Sequence, residues 1–156
     1  MVNTTLDNLM EKMSNYETRH LWDQNFESGR LVRQIGPQVQ LHYIKTKKVA
    51  VVSSRDQYVV IYMKEIPAEF NPSGKRAIIF AARSIDLDEY PPTPGAVRSL
   101  TKISGYYMEQ IEPNVVDLHF LVEADFKISL FISKQVAPKA SNYANALREF
   151  IDKDNE

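Results

Sequence analysis

Side chains able to do chemistry are few in this chain. There are three histidines and no cysteine, which excludes disulfides, zinc–thiolate sites and thiol nucleophiles. No G-x-S-x-G, H-E-x-x-H or phosphate-binding glycine loop occurs, so His42 is the one plausible general base. Asp117, His119, Glu123 and Asp125 repeat at the strand period of two, the outline of a metal site. Leu121 interrupts that series and no second histidine joins it, so a solvated outer strand face is expected instead. Asp86, Asp88 and Glu89 lack the spacing and central glycine of a calcium loop. No metal or cofactor is expected. Lys45, Lys47 and Lys48 precede the apolar run 49–52. Such a pairing suits transient docking on an anionic membrane, at about 1 kcal/mol per charge. A solubilising turn is the alternative.

The elements that position these residues follow from composition and period. With 156 residues, 44% hydrophobic and 25% charged, the chain reads as a single domain spanning 1–156. A net charge of −1 gives no positive field for nucleic acid. The start lacks a basic, apolar leader and no apolar run is long enough to span a bilayer, so a cytoplasmic location is expected. Leu6, Leu9, Met10 and Met13 form an amphipathic helical stripe, with Thr4 and Asp7 placed as a capping box and the helical reading reaching Leu21-Trp22 with a break near Ser14-Asn15. Strands are expected at 31–35, 39–44, 57–63, 77–82, 98–111 and 115–124, joined by turns such as Asn71-Pro72-Ser73-Gly74. A second helix is expected from Val136 to Ile151, with Pro138 in its first turn.

With no helix between the strands, the fold class is α+β: a curved antiparallel sheet of about six strands, preceded by N-terminal helical structure and closed by the C-terminal helix. The sheet's apolar face needs cover, and only that last helix is long and apolar enough. A space between them suits an apolar ligand; a solid core is the other possibility.

Several short motifs then fall in one order. Arg19-His20-Leu21-Trp22-Asp23, Ser54-Arg55-Asp56-Gln57-Tyr58-Val59, Tyr90-Pro91-Pro92, Val97-Arg98, Ser104-Gly105-Tyr106 and Asp125-Phe126-Lys127 resemble the signposts of START domains, the lipid-transfer modules related to the steroidogenic acute regulatory protein. The resemblance implies a helix-grip fold, an interior tunnel for one lipid, non-enzymatic transfer or sensing, and a lid formed by residues 45–54 with the C-terminal helix. It also implies that a first helix and three strands of the family pattern are lacking before Met1. The 115–124 strand would then be a sheet edge open to a homodimer partner. Ile128 and Phe131 stand where the family has Gly and Pro, at the hinge into the last helix. His42 and Ile61 replace the acid and arginine of sterol-handling relatives, which argues against a sterol.

If position 42 faces the tunnel as in that family, strand alternation puts Gln40 and Ile44 beside His42. Val59, Ile61 and Met63 would line the next strand. Phe120 and Val122 would line the last one. Tyr143, Ala144 and Leu147 would close the tunnel from the helix. Lipid, in an unspecified class, is the expected partner. An enzyme of cyclase or hydrolase type and a lipid-regulated interaction module are the alternatives.

Overall fold

A computed structural model describes residues 1–49, 52–129 and 142–154. Helix α1 spans Leu6–Ser14 and buries Leu6, Leu9 and Met13. Its cap is Thr5, whose hydroxyl accepts from the Asn8 amide at 3.2 Å. The cap therefore sits one residue later than the Thr4 reading, and Thr4 instead accepts from the Asn8 side chain. The helix ends at Ser14, at the expected break near Ser14-Asn15, and a short 3-10 turn, Arg19–Leu21, carries the chain to Trp22.

Seven strands follow: β1 (Phe26–Gly36), β2 (Val39–Thr46), β3 (Ser54–Ile66), β4 (Ala77–Ile85), β5 (Ala96–Arg98), β6 (Leu100–Glu112) and β7 (Val115–Asp125). They form one sheet in the order β1-β2-β3-β4-β6-β7, and the short β5 pairs parallel to the start of β3. The expected 98–111 strand is thus two strands, divided at Ser99, and β1 begins at Phe26 rather than Leu31. Helix α2 is described over Tyr143–Asp154. Its expected beginning near Val136 and Pro138 lies outside the described residues, as does Phe131.

Among the described residues, the concave face of the sheet is filled at one end. Leu6, Leu9 and Met13 of α1 meet Leu147 and Ile151 of α2 over Ile78, Met108 and Val116. Each fully buried aliphatic side chain there contributes roughly 1.5–3 kcal/mol. The opposite, convex face carries a smaller cluster of Leu41, Tyr43 and Tyr58, covered by Tyr90 from the loop 86–95. Tyr90 stacks on Tyr58 at 4.4 Å. Asp56, wholly buried, holds that loop by accepting from Arg98 Nε at 2.9 Å and from the Thr93 amide at 2.7 Å. Arg98 also donates to the Tyr90 carbonyl.

Candidate functional site

Where the helical packing stops, the concave face bounds a cavity of about 430 Å³. Alternation along β2 and β3 turns His42, Ile44, Val59, Ile61 and Met63 into it. Phe120 and Val122 enter from β7, and Tyr143 from the first turn of α2. Gln40 and Gln57 share this lining. Leu147 does not: it is fully buried in the packed end against α1, one helical turn beyond Tyr143. Ala144 is also not among the lining residues.

The remaining wall comes from elements for which no site residue was expected. Phe80 and Ala82 of β4, with Ser104 and Tyr106 of β6, occupy the inward positions of their strands. The same alternation rule applied to those strands would have found them. Tyr16 and Arg19 come from the irregular stretch between α1 and β1, where no period assigns a face. Aromatic rings line the α2 side: Tyr106 stacks on Phe120 at 4.8 Å, and Phe120 on Tyr143 at 5.5 Å.

Polar groups gather at two places on this otherwise apolar surface. At the first, the Arg19 guanidinium lies over Phe26, Trp22 and Tyr143 at 5.1, 5.5 and 5.7 Å, and its Nε donates to Asp23 at 3.1 Å. Beside it the Tyr16 hydroxyl meets His42 Nδ1 at 2.8 Å, while His42 Nε2 meets Gln40 Oε1 at 2.8 Å. Only a neutral imidazole with its proton on Nε2 can accept from Tyr16 and donate to the Gln40 carbonyl at once. Burial lowers the His42 pKa and raises that of Tyr16 to about 12. Burial also raises the pKa of Tyr106 and of Tyr143, so all three phenols stay protonated hydrogen-bond donors at neutral pH. The second polar point is Gln57, whose Oε1 accepts from Ser84 Oγ at 3.0 Å and Thr101 Oγ1 at 2.8 Å.

The Tyr16 ring lies flat against Gly29 of β1. A Cβ there would come within 2.8 Å of the ring, so glycine is what lets Tyr16 reach His42. Because the folded protein binds the His42 proton more weakly than the unfolded chain, stability falls as pH drops below about 6.5, the ordinary histidine value. Denaturant midpoints at pH 7.5 and 5.5 should therefore differ more for the natural chain than for His42→Gln.

The segment just after β7 is tied to β3 by Arg55, whose Nε donates to the Phe126 carbonyl at 2.8 Å and which also bonds Lys127 O. Phe126, just after β7, lines the cavity. In the expected lid, Val49 and Val52 exchange backbone hydrogen bonds; residues 50 and 51 lie outside the described residues. Of the three lysines there, Lys45 is engaged by Glu27 at 2.6 Å, while Lys47 and Lys48 are exposed. Asp117, His119 and Glu123 sit on the outer face of β7; His119 bonds Asp117 and Lys102 bonds Glu123. Among the described residues no three ligating side chains converge on a metal position.

A curved antiparallel sheet gripping a C-terminal helix above a mostly apolar cavity defines a helix-grip ligand-binding domain. The family model of the START domain matches residues 1–153, and the chain belongs to that family. It is 25% identical over 130 residues to human StAR-related lipid transfer protein 6, covering 81% of this chain and 52% of that protein. It is 23% identical over 109 residues to a rat acetyl-coenzyme A thioesterase, 70% of this chain but 19% of the enzyme. The chain thus spans about half the length of the first of these relatives and less of the second. Among solved structures, human StAR-related lipid transfer protein 5 shares its fold with a TM-score of 0.84 at 18% identity, covering 99% of this chain and 74% of that one.

Proposed function

We propose that this domain binds one lipid molecule in the cavity and carries it between membranes without chemical change. The observation that supports this best is the composition of the wall: mostly apolar strand residues and stacked rings, with polar side chains gathered around Arg19, Tyr16, His42 and Gln40 at one place and Gln57 and Thr101 at another. Each chain methylene that leaves water for such a wall contributes about 0.8 kcal/mol. The lipid's head would lie at the Arg19–Tyr16–His42 end, where an acceptor oxygen would meet the Arg19 guanidinium, held in place by Asp23. Release would occur at a membrane surface, with exposed Lys47 and Lys48 meeting anionic head groups. No described helix is long and apolar enough to cross a membrane, and the proposal places the domain in the cytoplasm.

Purified protein is expected to carry or extract lipid in a one-to-one ratio, visible in native mass spectra, and to move it between vesicles. Ala82→Trp, which puts an indole into the cavity, should keep the fold by circular dichroism and lose both properties. Bare protein mass together with no vesicle-to-vesicle transfer would reject the proposal.

Catalysis is the less favoured reading. The His42 ring nitrogens are engaged by a phenol and an amide, so no carboxylate orients it or raises its basicity. Turnover abolished by His42→Ala would reverse that preference.

A further inference from the structure

The two polar points of the cavity are wired differently. At the first, the hydrogen bonds run outward in a chain. Tyr16 donates to His42, His42 to the Gln40 carbonyl, and Gln40 Nε2 to Gln34 Oε1 at 2.8 Å. Those side chains satisfy one another, so what this end offers a ligand is the Arg19 guanidinium.

At the second point the acceptor is consumed and the donor is not. Gln57 Oε1 takes both the Ser84 and the Thr101 hydroxyl protons. The Ser84 oxygen itself accepts from the Thr101 amide at 2.8 Å, which leaves its proton to meet an oxygen of Gln57. Ser84 and Thr101 are both buried, so this bracket is part of the sheet's packed floor. A carboxamide carries its nitrogen on the other branch from its oxygen. With the oxygen held by the floor, the Nε2 group brings two N–H donors to a residue that lines the cavity. Among the described residues nothing accepts from them.

We propose that Gln57 determines specificity: its fixed amino group reads a carbonyl oxygen of the ligand, an ester or amide acceptor with no proton to give. The inference rests on the lipid-binding reading and narrows it from lipid to acyl lipid. His42 faces Val59 across β2 and β3, and Gln57 faces Ile44, two residues further along each strand. The two polar levels are thus about 7 Å apart along the strand direction. That spacing matches the few bonds between a polar head and an acyl carbonyl. A lipid with a single polar end leaves the donors of one point unmet in an apolar wall, which costs affinity. An alcohol can lend its oxygen to Gln57, but its own proton finds no acceptor there.

The test compares methyl decanoate, dodecanol and tridecane, matched in length, delivered from cyclodextrin and followed by titration calorimetry. The natural chain should bind the ester more tightly than the alcohol or the alkane. Gln57→Met keeps the length and removes the donors; it should lose about two- to tenfold in ester affinity and nothing for tridecane. Gln57→Glu at pH 8 keeps an oxygen for Ser84 and Thr101 but turns an acceptor to the cavity. It should invert the ranking and place dodecanol above the ester, a gain that a folding defect does not produce. Binding of no probe by the natural chain rejects the lipid reading and this inference together. Binding of all three, with the ranking unchanged in Gln57→Met, leaves the cavity a lipid site and overturns the role of Gln57.

Discussion

Asp56→Ala is expected to destabilise the domain by about 3–5 kcal/mol, because removing the wholly buried member of the ion pair leaves Arg98 with only the exposed Asp86 carboxylate at 3.3 Å and the Tyr90 carbonyl. The Asp56 side chain is wholly buried and that of Arg98 is only 9% exposed. The loss also frees the Thr93 amide and so detaches the loop 86–95, with Tyr90, from the convex cluster. Chemical denaturation should show the drop, and Asp56→Asn should recover only part of it. Burial by itself would raise the Asp56 pKa, but the Arg98 and Thr93 hydrogen bonds outweigh it and hold the pKa below the usual value. The folded state therefore binds this proton more weakly than the unfolded chain. The stabilisation is complete above the ordinary carboxylate pKa near 4 and is lost as acid titrates Asp56 below it. In Asp56→Ala that part of the acid limb should vanish.

The second large effect is expected at Leu147→Ala, at about 2–5 kcal/mol. Leu147 is fully buried between α1 and the sheet, so truncation opens a void in the packed end while the ligand cavity keeps its lining. Thermal unfolding should fall by many degrees while lipid uptake at low temperature persists. Equal loss of uptake and stability would mean that the two ends are not separable.

Leu147 also shows where legibility in the sequence stops. Period identified its helix and its apolar face, but Tyr143 and Leu147 lie one turn apart on that face and meet different surroundings. The first reaches the cavity and the second the interior of the packed end. A repeat of 3.6 cannot encode that boundary, since it is set by where α1 ends and ceases to fill the concave face. The meander of strands was readable because alternation and turn residues act locally. The expected 31–35 strand is shorter than β1 because glycine normally interrupts a strand, whereas Gly29 is needed here beside the Tyr16 ring. Arg19 is visible as part of a family motif, but its place in the cavity depends on Tyr143 of α2 meeting Trp22 and Phe26, its near neighbours in the chain.

Trp22 is the only tryptophan in the chain; it is buried and meets Tyr143 edge-on at 4.9 Å. Its ring also lies under the Arg19 guanidinium. Its Nε1 has no acceptor among the described residues, so the indole's surroundings are set by those two neighbours and the packed core. The domain consequently has a single tryptophan fluorophore, in contact with the cavity-lining Arg19 and Tyr143, and its emission is expected to shift without a label when the cavity is filled.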